Sequence, residues 1–217
     1  MASRDSARIL ERQTLPMTAI VNVGYDSTNY YVLGQDSNRL LVDVGWSNTL
    51  PKLLACMKRM DVALDQIRYL MATHYHPDHA GLAQEVKAKG VRLLVIDLQL
   101  PFIPALMTWM KPVNQYIDIS LHDNTVLPCA GSRQFLAGLG VAGEIIHTPG
   151  HSDDSVSLIL DQGAAFTGDL TSPNMVDDAT AGAVWRSWSA IRALKVHTIY
   201  PGHGPTPRPM PPEPGDA

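Results

Sequence analysis

The sequence is short of several things at once. Only two cysteines occur in 217 residues, Cys56 and Cys129, far apart and beside apolar neighbours. They are expected to be buried free thiols in a reducing compartment rather than a disulfide framework. No run of eighteen apolar residues exists, so no membrane-spanning helix is expected. The opening MASRDSARILERQ has no apolar core of the kind a secretion signal carries. A net charge of −4 gives no electrostatic ground for nucleic acid or an anionic membrane as the main partner. Aromatic residues make up 6% and charged residues 18%, against 45% hydrophobic residues. An ordinary globular chain with a well-covered core remains, expected to be a cytoplasmic enzyme.

Three short apolar runs, MTAIVNVGY, TNYYVLG and RLLVDVGW, are separated by Gly, Asn and Asp and predict a β-meander. TLPKLLACMKRM has helical spacing, with Thr49 as candidate N-cap and Pro51 in the first turn. IRYLMATH reads as a buried strand. PDHAGLAQEVKAKG reads as one helix from Pro77 to Gly90, and VRLLVID as the next strand. Residues 98–120 hold three prolines, two methionines and a tryptophan, which predicts an irregular helical excursion. Strands follow at NTVLPC, GEIIHTPGH, SVSLIL and AAFTGD, then a helix at AVWRSWSAIRAL and the strand HTIYPGH. The expected organisation is a lead-in over 1–14, one α/β domain over 15–207, and a Pro-rich tail over 208–217, disordered or extended.

Histidine is the exception to this plainness. Three of the eight histidines and one aspartate crowd into residues 74–79. His74 and His76, two apart at a strand end, share a face while Tyr75 points away. Pro77 starts a turn that brings Asp78 and His79 back over the same edge. Any one of these residues alone has a bland explanation, as a helix cap, a core histidine or a surface histidine. Four at this spacing favour a metal, because neutral imidazole and carboxylate suit zinc, and also iron or manganese. Three further stretches end an apolar strand in Gly beside a ligand type: IIHTPGHS with His151, AAFTGDL with Asp169, and TIYPGHG with His203.

With these seven residues in order, the chain resembles the metallo-β-lactamase-fold hydrolase superfamily over about residues 15–207. The HxHxDH motif is matched by His74, His76, Asp78 and His79. The downstream ligands are matched by His151, Asp169 and His203, and the early D-x-G aspartate by Asp43. The resemblance implies an αββα sandwich, two mixed sheets covered by helices, with the site at one edge between them. It implies two divalent ions, zinc foremost: His74, His76 and His151 on the first, Asp78, His79 and His203 on the second, Asp169 bridging. A hydroxide shared by the ions would then attack a small-molecule ester, lactone or thioester, with Asp78 orienting it. Members that cleave β-lactams usually lack the bridging aspartate, which disfavours that substrate. Diiron electron-transfer relatives tend to carry glutamate at the position of His76. The alternatives kept are phosphodiester or β-lactam hydrolysis, and a mononuclear iron persulfide dioxygenase.

Asp43 is expected to hydrogen-bond a ligating histidine or loop amide; its bland reading is a turn cap before Gly45. His147 is expected in the strand, hydrogen-bonded behind the ligands or in the core. His122 and His197 are expected to be peripheral, and Tyr75 and Tyr200 to serve packing. Phe102, Met107, Trp109 and Met110 of the excursion are candidate walls of an apolar pocket; equally they could cover the sandwich or join two copies of the chain. The fourteen residues after His203 are not expected to hold the helical domain with which glyoxalase II enzymes grip glutathione.

Overall fold

The computed structural model describes residues 17–176 and 181–212. The lead-in expected over 1–14 lies outside the described residues, as does the end of the tail. Strands β1 (Ile20–Asn22), β2 (Tyr31–Leu33) and β3 (Arg39–Val42) form the antiparallel meander. From β3 onward, β4 (Ile67–Met71), β5 (Arg92–Ile96) and β6 (Thr125–Leu127) add in parallel, giving a sheet ordered β1-β2-β3-β4-β5-β6. The second sheet is ordered β11-β10-β9-β8-β7. It comprises β7 (Gly143–His147), β8 (Val156–Leu160), β9 (Ala164–Gly168), β10 (Thr198–Pro201) and β11 (Arg208–Pro209). Only β9 and β10 run parallel in it.

Strand alternation decides the layering. Tyr31, Leu33, Leu40, Val42, Met71 and Leu94 face inward and pack against Ile145, Val156, Leu158 and Phe166 of the second sheet. Their neighbours Val32, Leu41, Leu70 and Leu93 face outward, under Leu53 and Met57 of α1 (Leu50–Arg59) and Val86 of α3 (Ala83–Lys87). On the far side, Ile159, Ala165 and Ile199 are covered by Val184, Trp188 and Ile191 of α5 (Ala181–Ala193). Both faces of both sheets are thus apolar, and each such side chain gains about 1.5–3 kcal/mol from burial. The result is the αββα sandwich.

Four details differ from the sequence reading. The helix expected over Pro77–Gly90 is broken into α2 (Pro77–Ala80) and α3, because the Leu82 amide donates to the Gly45 carbonyl at 2.8 Å instead of back to Asp78. Thr49 precedes α1 but its side chain caps nothing; the hydroxyl bonds the Tyr25 hydroxyl at 2.6 Å. A helix, α4 (Cys129–Ala137), stands where the sequence shows no amphipathic run, packed on β7 through Leu136 and the Ser132 hydroxyl, which accepts the Ile145 amide at 2.8 Å. Finally, Arg208 and Pro209, at the start of the expected tail, pair with β10 as an edge strand. Both cysteines are free, Cys56 buried and Cys129 half-buried. No helix among the described residues is long and apolar enough to cross a membrane.

Candidate metal centre

The site is built where strand ends of the two sheets meet. The loop after β4 carries His74 and His76; α2 carries Asp78 and His79. From the second sheet come His151 in the β7–β8 connection, Asp169 immediately after β9, and His203 just beyond β10. All seven side chains singled out from spacing converge. His74 Nε2 lies 3.1 Å from His76 Nδ1, and His151 Nε2 lies 3.0 Å from the same atom. His203 Nε2 stands 3.1 Å from Asp78 Oδ2, and His79 Nε2 3.7 Å from it. Asp169 lies between: Oδ1 is 3.2 Å from His79 Nε2, while Oδ2 is 3.3 Å from His203 Nε2 and 3.7 Å from His151 Nε2. Ligand atoms about 2.1 Å from a tetrahedral zinc ion stand about 3.4 Å from one another. The observed separations bracket that figure, and three overlapping triads have the compactness a cation requires.

The surrounding residues hold the imidazoles in ligand orientation. Asp43, at φ 63° and 2% exposed, turns the chain out of β3. Aspartate tolerates this left-handed conformation better than most residues do. Its Oδ2 sits 2.9 Å from His79 Nδ1, and its oxygens also accept the Thr73 amide at 2.6 Å and the Thr73 hydroxyl at 2.8 Å. His79 therefore donates through Nδ1 and turns Nε2 to the centre, the arrangement that orients metal-ligating histidines. His203 does the same against the Ser27 carbonyl at 2.7 Å.

Electrostatics separate the two buried histidines. Burial, and then the neighbouring imidazoles, push the His74 pKa well below its ordinary value, so this ring is neutral and its lone pair available. Burial also acts against the charge on His79, but Asp43 and Asp169 outweigh it and raise that ring to about 10. His151 is lowered by burial and by the other imidazoles, against the pull of Asp169. For Asp169, burial opposes ionisation, yet the facing His79 ring and the other surrounding imidazoles hold its pKa below the usual range. Even so, His79 Nε2 and Asp169 Oδ1 are buried atoms with no hydrogen-bond partner. Such orphans are rare without a reason. Nitrogen and carboxylate donors left facing one another are what a borderline divalent ion would satisfy, so the residues present fit a metal.

Glycine makes the approach feasible. A Cβ on Gly202 would come within 2.5 Å of Asp169 Oδ1 and 2.6 Å of His79 Cε1. Other expected participants fall elsewhere. His147 is exposed, and its Nε2 lies 2.8 Å from the Asp153 carbonyl rather than against a ligand or in the core. Of the four pocket candidates, Trp109 is the one in ring contact with the centre, its centroid 5.5 Å from that of His76. Met107 lines a separate apolar hollow with Ile103 and Tyr116, and Met110 packs on the outer core. Phe102 is half-buried and lines neither that hollow nor the cleft beside the centre. That cleft, about 330 Å³, is walled instead by Thr171, Ser172, Met175 and Arg208 with His151, Asp169 and His203. Sequence reasoning does not single out Thr73, Ser27 or Arg208. Thr73 is signalled only by its adjacency to His74 and Arg208 by a charge set among prolines, while Ser27 carries no signal.

Comparison with known proteins agrees with this fold. Residues 23–203 match the model of the metallo-beta-lactamase superfamily. A beta-lactamase-like protein 2 homolog of Drosophila melanogaster is 28% identical over 198 residues, covering 82% of this chain and 58% of that protein. An atrochrysone carboxyl ACP thioesterase of Aspergillus fumigatus is 26% identical over 191 residues, covering 85% and 39%. The chain thus spans about half the length of the curated relatives it matches. Among solved structures, a metallo-beta-lactamase family protein from Thermus thermophilus superposes with a TM-score of 0.68 at 18% identity, covering 89% of this chain and 75% of that one. The chain belongs to the metallo-beta-lactamase superfamily.

Proposed function

We propose that the protein is a metal-dependent hydrolase that cleaves an ester, lactone or thioester bond in a small molecule at a centre of two divalent ions, zinc foremost. The observation that carries this reading is Asp169, whose carboxylate reaches His151 of one triad and both His79 and His203 of the other. His74, His76 and His151 would hold one ion; Asp78, His79 and His203 would hold the second. When bound, such a pair lowers the pKa of water to about 7 and stabilises charge on the attacked carbonyl and the leaving group.

The chain's own residues do the rest. Asp78 offers Oδ2 toward His203 and His79 and accepts the Thr28 hydroxyl at 3.4 Å. Its other oxygen accepts a hydrogen bond from the attacking water and aims it at the scissile carbonyl. Asp43 and the Ser27 carbonyl keep His79 and His203 from rotating away. The cleft of about 330 Å³ is of the size that suits a small molecule. Thioester chemistry draws further support from the thioesterase among the relatives, and from the bridging position being an aspartate.

The test is a panel of ester, lactone, thioester, phosphodiester and β-lactam substrates on metal-replete protein, with elemental analysis of bound metal. Turnover of the first three classes at two ions per chain is expected, and Asp78→Ala should remove most of it while circular dichroism stays unchanged. Turnover of β-lactams alone, or oxygen uptake with a persulfide, would replace the reading.

A further inference from the structure

Arg208 has no assignment in the reading above, although it walls the same cleft as His151, Asp169 and His203. Its backbone is fixed, because β11 pairs antiparallel with β10 and sets Arg208 opposite Ile199. Its charge is unspent. No carboxylate among the described residues lies within ion-pair distance of it, although Asp78 and Asp169 stand at this site. Its Nε is buried and has no hydrogen-bond partner. A guanidinium partly withdrawn from water and left unpaired is costly unless something planar and anionic completes it. Carboxylates do so with two parallel N–H···O bonds.

We propose that Arg208 is the specificity residue of the cleft and binds a carboxylate carried by the substrate, on the acyl or the leaving-group side of the scissile bond. The class of substrate narrows accordingly, from any small ester or thioester to one bearing a second, anionic group. The inference rests on the hydrolase reading for the bond cleaved, but not for the anion bound. Asp78 and Asp169 are committed to the imidazole cluster, which leaves Arg208 as the cationic side chain of the cleft wall.

Two matched pairs test it on metal-replete protein. The succinyl and butyryl thioesters of N-acetylcysteamine differ by a carboxylate on the acyl side. Butyryl thioesters of thioglycolate and of mercaptoethanol differ by one on the thiol side. In at least one pair the anionic member should be preferred tenfold or more in kcat/KM, and Arg208→Gln should reduce that ratio at least tenfold, with Arg208→Lys retaining part of it. Calorimetry of the corresponding nonhydrolysable amides separates the two readings. If no thioester is turned over, the thioester part of the hydrolase reading fails, yet a tenfold tighter anionic amide whose advantage vanishes in Arg208→Gln still supports the role of Arg208. Equal affinity within each pair, or a preference that survives in Arg208→Gln, overturns it. Melting curves check that both variants are folded.

Discussion

The buried Asp154 carboxylate accepts the Tyr75 amide at 2.7 Å, joining two loops that are 79 positions apart. The Asp154 carbonyl in turn accepts the buried Gln99 amide at 3.1 Å, and the same Gln99 nitrogen reaches the carbonyls of Ala72 and Thr73. His74 and His76 flank Tyr75, and His151 lies just ahead of Asp154. The spacing of the first triad is therefore set by a polar knot behind it.

Replacing Asp154 by alanine strands the Tyr75 amide in a dry interior, at a cost of about 1–3 kcal/mol. For a domain of this size that is a melting point lower by roughly 2–4 °C per kcal/mol. Zinc affinity should weaken with it, since His151 loses its reference to His76. A calorimetric melt with and without zinc checks both; if neither changes, the knot does not position the triad.

Asp43→Asn keeps the size of the side chain and an oxygen for Thr73, but removes the negative charge facing His79. Such a change behind a metal-ligating histidine typically costs 10–100-fold in metal affinity. Chelator competition should find a loss in that range while the fold persists. Unaltered affinity would mean that His79 is held by other means.

Gly202→Ala would drive a methyl group between Asp169 and His79. Backbone lies behind the glycine, so one of those side chains must move. Elemental analysis should show reduced metal per chain, and the far-UV spectrum should remain that of the parent. Full metal content would show that the cradle yields more easily than its spacing suggests.

Metal itself should stabilise the fold. Free zinc at 1,000 times its Kd adds about 4 kcal/mol to a protein that binds it only when folded. Stripping with a chelator should lower the melting temperature by several degrees, readdition should restore it, and His79→Ala should blunt the restoration. A melt indifferent to zinc would argue that the imidazoles bind nothing.

The seven converging side chains were legible because they sit just past the ends of apolar strands or, for Asp78 and His79, on the Pro-initiated turn that follows one, placements that period-two alternation, Pro77 and neighbouring glycines announce. The layers were legible for the same reason: Leu40 and Leu41, one residue apart, go to opposite cores. What stayed hidden depends on contacts between distant segments. Nothing in PDHAGLAQEVK signals that Leu82 will bond Gly45 and break the helix. In CAGSRQFLA, Gly131 and Ser132 dilute the apolar pattern of α4, whose fit to β7 comes from Leu136 and one hydroxyl. The composition of the excursion marks it as irregular, but only the fold separates Trp109, beside His76, from Met107, turned to another hollow. Asp154 reads as one more loop carboxylate until Tyr75 is seen across from it.

His74, His76, Asp78 and His79 hang from one half of the sandwich, and His151, Asp169 and His203 from the other. Any ion bound there would work as a clasp between two leaves otherwise joined by a greasy seam and a few hydrogen bonds such as Tyr75 to Asp154. Losing it should loosen the seam from the clasped rim inward, so hydrogen exchange in the metal-stripped protein should quicken first at the ends of β4, β9 and β10 nearest the histidines and last at their opposite ends.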